Sequence, residues 1–280
     1  MIKMLLLFSA LFYCYSLQAS ERLVVAGGSL VELVYSLGAG EQLVGVDKTT
    51  TWPPESQSLP HISHWKQLSS EGILSLEPDL FISWQDAEPQ LAIRQLREQK
   101  VEVLLLPRVP ATVEQMYCNI SLLAHKLNLD DKGESLPGAI RKRLEKVAQS
   151  TAAKKRPVTA MFILSAGGSS PQIAGKGSVA DAIMTLAGAR NVAHHSQYGS
   201  YSAEALIAAN PDVLIVTTQM INGDLSRLKS VNGIAQTTAW KNQRIISVDQ
   251  SLILGMGPRV AEVVELLHGE FWPQNLSGTR

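Results

Sequence analysis

RLVVAGGSLVELVYSLGAGEQLVGVD, residues 22–47, holds a complete structural unit. Arg22 to Ala26 form an apolar run too short for a helix and read as a buried strand. Gly27-Gly28 make a tight turn. Ser29 then stands as a helix N-cap with Glu32 at N3, the spacing of a capping box, while Leu30, Leu33, Val34 and Leu37 recur on one helical face. Gly38 to Gly40 stop the helix and Leu43 to Val46 begin a second strand. A strand–helix–strand unit of this kind closes by laying its two strands parallel with the helix across them.

The same grammar continues outward. Leu80 to Ser83 read as a strand, Glu88 to Gln99 as a helix and Val101 to Leu106 as another strand, which predicts an α/β fold with a mostly parallel sheet. After KKRP at 154–157, Val158 to Leu164 form a strand, and Ser178 opens a helix with Asp181 three residues on. SLVELVYSLGAG (29–40) thus matches SVADAIMTLAGA (178–189), with Ser29 against Ser178, Glu32 against Asp181 and Leu37 against Leu186. A second match is firmer. Glu71 leads through GILSLE to Pro78-Asp79 and the strand LFI, and Glu204 leads through ALIAAN to Pro211-Asp212 and the strand VLIV, at equal intervals. Two recurrences in the same order predict two similar lobes. Between them, Pro137 to about Ala153 is a charged segment with Ile140, Leu144 and Val147 on one face, as expected of one long helix. A cleft between two lobes is a natural ligand site.

MIKMLLLFSALFYCYSLQAS, residues 1–20, carries Lys3, a short apolar core and a small-residue cleavage site, and reads as a secretory signal peptide. The bulky Phe12-Tyr13 before Cys14 do not suit a lipid-anchor site. The expected organisation is therefore a signal peptide (1–20), an N-terminal lobe (21–133), a linking helix (134–156) and a C-terminal lobe (157–280). Cys118 alone remains in the mature chain, so stability must come from packed cores rather than disulfides. Removing Lys3 from the 25 basic residues leaves 24 against 25 acidic ones, with no basic stripe, which argues against nucleic acid as a partner.

Enzymatic signatures are missing. GGSLVE lacks both the GxGxxG spacing and a Gly-Lys-Ser/Thr ending, and the chain has no G-x-S-x-G, H-E-x-x-H or C-x-x-C. AGGSS at 166–170 shows no nucleophile elbow. Of the six histidines, His125 and His268 fall on helical patterns and read as structural or surface residues. His61 and His64 follow Pro60 in an extended stretch, which weakens a zinc pair at i,i+3. His64 with Trp65 and Lys66 is more informative. An imidazole ligates iron, an indole covers a flat apolar surface and an ammonium pairs with a carboxylate, the three kinds of contact that haem requires. An ordinary loop histidine is the alternative.

At this level of detail the chain resembles the haem-binding periplasmic proteins that feed ABC importers, within the helical-backbone binding-protein class. The similarity runs from RLVVAGGSLVELVYSLGAGEQLVGVDKTTTWP through LPHISHWKQLSSEGILSLEPDL. It resumes at AGKGSVADAIMTLAGARNV, YSAEALIAANPDVLIV and SLILGMGPRVAEVVELLH, and covers nearly the whole mature chain. The resemblance implies two Rossmann-like lobes joined by a single long helix, with haem held in the cleft between them as transported ligand. It also implies a monomer in the periplasm that works with an inner-membrane permease and its cytoplasmic ATPase, and no enzymatic activity.

Members present an axial tyrosine in a G-Y-M-R stretch. Here the stretch is SHWK, so the iron ligand falls on His64 and the arginine position on Lys66, which would meet a propionate. His194 or His195 is the candidate for a second ligand. Tyr198, in the family's G-Y-K-P-L-S region, and Trp52 are expected to line the cleft with Trp65, with Trp84 as an alternative. Glu71 and Glu204, one per lobe, take the positions at which the class docks onto basic residues of the permease. A carboxylate at a helix N-terminus has a simpler explanation too, since the helix dipole favours it there. Cobalamin or an iron siderophore is the alternative ligand, and an exported enzyme the alternative class.

Overall fold

The computed structural model describes residues 21–154, 156–165 and 170–273; the expected signal peptide lies outside the described residues. The first half runs β1 (Leu23–Ala26), α1 (Gly28–Leu37), β2 (Leu43–Asp47), β3 (His61–Ile62), α2 (Ser70–Leu74), β4 (Leu80–Trp84), α3 (Gln90–Glu98), β5 (Glu102–Leu106) and α4 (Val113–Lys126). Its strands form one sheet in the order β3-β2-β1-β4-β5, parallel throughout. Because side chains alternate across a strand, each sheet face receives every second residue. Leu23 and Val25 with Leu80, Ile82 and Trp84 point into a central core, and Val24, Ala26 and Phe81 into an outer one.

α5 (Asp130–Ala152) connects the halves, beginning before the expected 134 and ending before 156. Asp130 and Asp131 lie in its first turn, where the positive end of the helix dipole favours carboxylates. Pro137 sits inside the helix, so its ring replaces one N–H of the ladder without stopping it. The helix packs against α4 through the buried Gly133, where an added Cβ would stand 2.5 Å from that of Ala124. Ile140 and Val147 are buried on its inner face and Leu144 packs beside them.

The second half follows with β6 (Val158–Ser165), β7 (Gln172–Ala174), α6 (Val179–Leu186), β8 (Ala189–Asn191), β9 (Tyr198–Ser200), α7 (Ala203–Ala209), β10 (Val213–Thr217), α8 (Thr218–Ile221), α9 (Thr238–Lys241), β11 (Ile245–Val248), α10 (Gln250–Leu254) and α11 (Val260–Phe271). Its sheet has the order β11-β10-β6-β7-β9, with β8 also pairing β6. Strands β11, β10, β6 and β8 are parallel neighbours, whereas β7 runs antiparallel to both β6 and β9. Val158, Ala160 and Phe162 join the central core, and Met161 and Ile163 a separate outer one. The central core is continuous through both halves, with α1, α4, α5, α6 and α11 contributing to it. Each Leu, Ile, Val or Phe fully buried there contributes about 1.5–3 kcal/mol relative to exposure.

The Ser29–Glu32 capping box does not form. Gly27, at φ 137°, is the N-cap and α1 starts at Gly28 with no side-chain cap. Only glycine adopts that φ readily, and this lets the helix begin ahead of Ser29. The Gly28 N–H donates instead to Thr49 Oγ1 at 2.9 Å. Glu32 is buried and engaged by Arg259, from the other half of the chain, at 2.6 and 3.1 Å. Ser178, by contrast, does cap α6, accepting from the Asp181 amide at 3.2 Å, and Asp181 accepts from Gly177 N–H at 2.9 Å.

Candidate functional site

A cleft of about 510 Å³ opens between the halves at the carboxyl ends of the first sheet's strands. In open parallel sheets this is where the chain turns outward and leaves room for a ligand. Gly27 and Gly28 follow β1, Lys48 and Thr49 follow β2, His64 and Trp65 follow β3, Trp84 ends β4, and Pro107 and Arg108 follow β5. Met116 and Asn119 of α4 close one side. The second half contributes Leu164, Tyr198, Leu254 and Met256 among others.

A buried carboxylate orders three of these loops. Asp47 Oδ1 accepts from the Thr49 hydroxyl at 2.7 Å and its amide at 3.2 Å, and Oδ2 accepts from the Trp65 amide at 3.2 Å. Thr49 Oγ1 in turn receives the Gly28 N–H, so one side chain ties together the ends of β1, β2 and β3. Burial pushes the Asp47 carboxyl above the usual range, opposed by the Thr49 hydroxyl and by backbone amides. Gly27 matters for a second reason: an added Cβ would meet Trp84 Nε1 at 2.6 Å, so a larger residue would displace that indole from the cleft.

His64 lies half-buried on the lining, its ring stacked beside Trp65 with centroids 5.6 Å apart. The Lys66 amide donates to His64 Nδ1 at 3.0 Å. A nitrogen that accepts a hydrogen bond carries no proton, so the neutral ring holds its proton on Nε2. Among the described residues no group of three or more His, Cys, Asp or Glu side chains is placed to hold a metal ion, and His64 is the imidazole that lines the cleft.

Tyr198 reaches the cleft from β9. Burial pushes its phenol up, against the pull of Arg108 across the cleft and of hydrogen bonds from the Ala180 amide and Ser178.

Four expected site residues fall elsewhere. Lys66 is not on the lining. Its Nζ donates to the Asp86 carbonyl at 2.6 Å and pairs with Glu88 at 3.2 Å and Asp86 at 3.4 Å, so two carboxylates hold it, 4.7 Å from the Trp65 ring centroid. Trp52 packs under Arg259, 4.3 Å from guanidinium carbon to ring centroid. His194 is exposed, and its amide bonds the Tyr201 hydroxyl. His195 sets Nε2 3.0 Å from the Ile173 carbonyl and packs against Tyr201. Neither histidine lines the cleft.

Three residues of consequence escape a reading by pattern. Asp47 and Arg108 each stand just past or at the carboxyl end of a parallel strand, and that position is the signal that would have found them. Arg259 bonds Glu32 twice and Ser251 Oγ at 2.9 Å, and joins the halves beside the cleft. Desolvation raises the Glu32 carboxyl despite the hydrogen bonds and charge of Arg259. No local spacing announces a pair so distant in sequence.

Glu71 and Glu204 occupy equivalent places. Ser69 caps α2 through the Gly72 amide and Ser202 caps α7 through the Ala205 amide, each at 3.2 Å, with the exposed glutamate two residues after the cap. The correspondence extends to the next strand. Asp79 accepts from the Arg22 amide at 2.8 Å, and Asp212 from the Thr159 amide at 3.0 Å.

Two lobes around a cleft, joined by one long helix, define a ligand receptor of the bilobal binding-protein class, and the chain belongs to the periplasmic binding protein family, whose profile matches residues 23–252. The family supplies substrate-binding proteins of ABC importers rather than enzymes. The periplasmic heme-binding protein RhuT from Roseiflexus sp. RS-1, solved in apo form, is 32% identical over 90% of this chain and 98% of its own, with a TM-score of 0.86. A periplasmic heme binding protein from Pseudomonas aeruginosa gives 32% and 0.86 over 91% of this chain and 93% of its own. Vitamin B12-binding protein from Photorhabdus laumondii subsp. laumondii is 23% identical over 94% of this chain and 92% of its own. Among the described residues no helix is long and apolar enough to cross a membrane.

Proposed function

We propose that this chain is a periplasmic receptor that captures haem in its interlobe cleft and delivers it to an inner-membrane ABC importer. The lining of the cleft carries the reading: two indoles, a phenol and an imidazole surround the space with two cations, Lys48 and Arg108, and no carboxylate among the described residues. That set suits a flat apolar macrocycle bearing iron and acidic groups. The 32% identity to haem-binding proteins over nine-tenths of the chain supports it. In this reading Trp65, Trp84, Met116 and Met256 cover the porphyrin, His64 supplies the axial bond to iron and Tyr198 meets the ligand from the second lobe. Glu71 and Glu204 dock on basic residues of the permease, and the partner ATPase drives transport.

Vitamin B12 is the second reading, favoured by the B12-binding relative that spans 94% of the chain. A corrin with its nucleotide tail is larger than haem, so the two readings differ in how much of the cleft the ligand would fill. Parallel absorbance titrations with haem and cyanocobalamin, on wild type and His64→Ala, test both. A saturable Soret shift whose ligand-field bands change in the variant is expected. A normal haem spectrum in the variant moves the axial role to Tyr198. Saturable cyanocobalamin binding without haem binding replaces the first reading with the second.

A further inference from the structure

Trp52 and Arg259 meet no ligand in the assignments above, and both stand off the cleft lining. They meet each other instead, at the end of GMGPR (255–259), the stretch that joins α10 to α11 and brings Gly255 and Met256 of the second lobe onto the lining. Two features fasten this stretch to the first lobe. One is Arg259, gripped there from two directions: Glu32 of α1 takes its edge in two hydrogen bonds, and the Trp52 ring covers its face at 4.3 Å. A planar guanidinium held by edge and face together has little freedom left. The other is close contact at glycine. A Cβ added at Gly257 would stand 2.9 Å from that of Ser29, and one at Gly255 would stand 2.8 Å from it. The lack of a side chain at these two positions is what lets the lobes touch here.

The fastening runs directly into the lining. Arg259 Nη2 also donates to Ser251 Oγ at 2.9 Å, and Ser251 lines the cleft with Leu254, Gly255 and Met256. From the first lobe, Gly28 and Ser29 line it at the same contact. One wall of the cleft is therefore built from both lobes and tied by a pair whose carboxylate is buried, so that parting the two would strand a charge out of water. We infer that Arg259 and Gly257 form an interlobe clasp that fixes this wall and thereby slows release of the bound macrocycle. Arg259 is a positioning residue here, since it holds the wall and not the ligand. The inference deepens the proposed function and rests on it for the ligand, whereas the clasp itself is testable without one.

The experiment compares wild type with Gly257→Ala, Ser29→Gly, the double variant S29G/G257A and Arg259→Gln. Interlobe separation is read by pulsed electron paramagnetic resonance between spin labels on the native, exposed Cys118 of α4 and on Ala208→Cys in α7, in the chain without its expected signal peptide. Association and release of haem and of cyanocobalamin are read by stopped-flow absorbance. G257A should shift or broaden the distance distribution and speed release about tenfold, with association within about threefold of wild type, because variants of one binding surface differ mainly in off-rate. S29G/G257A removes the colliding Cβ and should return both readings to those of S29G alone. Arg259→Gln should act as G257A does, and if it fails to fold, the glycine series decides. A G257A protein that is less stable but keeps the wild-type distances overturns the inference, since the added methyl then acts by overpacking alone. Unchanged release in a G257A protein whose distances have moved overturns it as well. Wild type that binds neither macrocycle overturns the proposed function, while the label distances still judge the clasp.

Discussion

In the first lobe, the helix after the opening strand starts on Gly27, leaves Ser29 without a capping role and sends Glu32 to Arg259 in the other lobe. In the second, the matching helix starts on Ser178, which caps it, and Asp181 stays local, accepting from the Gly177 amide and the Asn191 side chain at 2.9 Å each. One pattern of apolar residues therefore supports two uses of its acidic position. Where the carboxylate stays home, it secures a helix end. Where the glycine turn has already begun the helix, it is free to tie the lobes together. The cleft shows the same asymmetry. The first lobe provides its imidazole, its cations and both of its indoles from the ends of parallel strands, while the second adds Tyr198 from an antiparallel strand together with apolar cover from α10.

The largest effect expected from breaking this comparison lies at the interlobe pair. Arg259→Ala leaves Glu32, at 3% side-chain exposure, without its partner and should destabilise by about 3–5 kcal/mol in denaturant unfolding. Replacing both residues by apolar ones of similar volume should recover most of that loss, because the pair bears its own desolvation cost. The pH dependence follows from the same burial. A folded-state carboxyl raised above its unfolded value means that the folded protein binds the proton more tightly. Its stability contribution is then greatest at low pH and declines as pH rises from the ordinary carboxylate value through the raised one. Wild type should lose stability relative to Glu32→Gln across that window. A flat difference would show that Glu32 titrates alike in both states.

A smaller effect separates the two helix starts. Ser178→Ala removes a side-chain cap and should cost about 1 kcal/mol, whereas Ser29→Ala removes none and should stay within about 0.5 kcal/mol. Equal costs would mean that Ser29 assists the helix in solution and that the lobes differ less than their hydrogen bonds indicate.

These differences also explain what was legible in the residues. The strands β1, β4 and β10 stand out because each is buried on both faces and reads as a near-continuous apolar run, while β2, β5 and β6 show apolar runs with partly exposed positions. The pairs Glu71/Glu204 and Asp79/Asp212 are visible because both lobes use them identically, at helix starts and strand starts set by local rules. β7 and β9 are not, since QIA and YGS are too short to carry a period. His64, Trp65 and Tyr198 are recoverable as cleft residues because resemblance fixes their place along the chain. Lys66 is misplaced by the same route: its neighbour in sequence lines the cleft, but Asp86 and Glu88 decide where its ammonium goes. Arg108, Asp47 and Arg259 act through partners supplied by distant segments, and only the fold brings those together.

The smallest effect on the isolated protein is expected at the residues in which the lobes agree most. Glu71 and Glu204 are exposed and stand at the same position of self-capped helices. The Glu204 carboxyl is held below the usual range by its own amide and the Ser202 side chain, so it is ionised across the physiological range. Glu71→Ala and Glu204→Ala should leave ligand affinity unchanged. Their effect should appear only against the partner, as weaker stimulation of the importer's ATPase in proteoliposomes, with the double variant weaker than either. Because rim charges act mainly on encounter, raising the salt concentration should narrow the gap between wild type and variants. Equal losses from the two single variants would mean that the permease reads the lobes as a pair. A loss at one alone would place docking on a single lobe and extend to the outer surface the asymmetry already seen in the cleft.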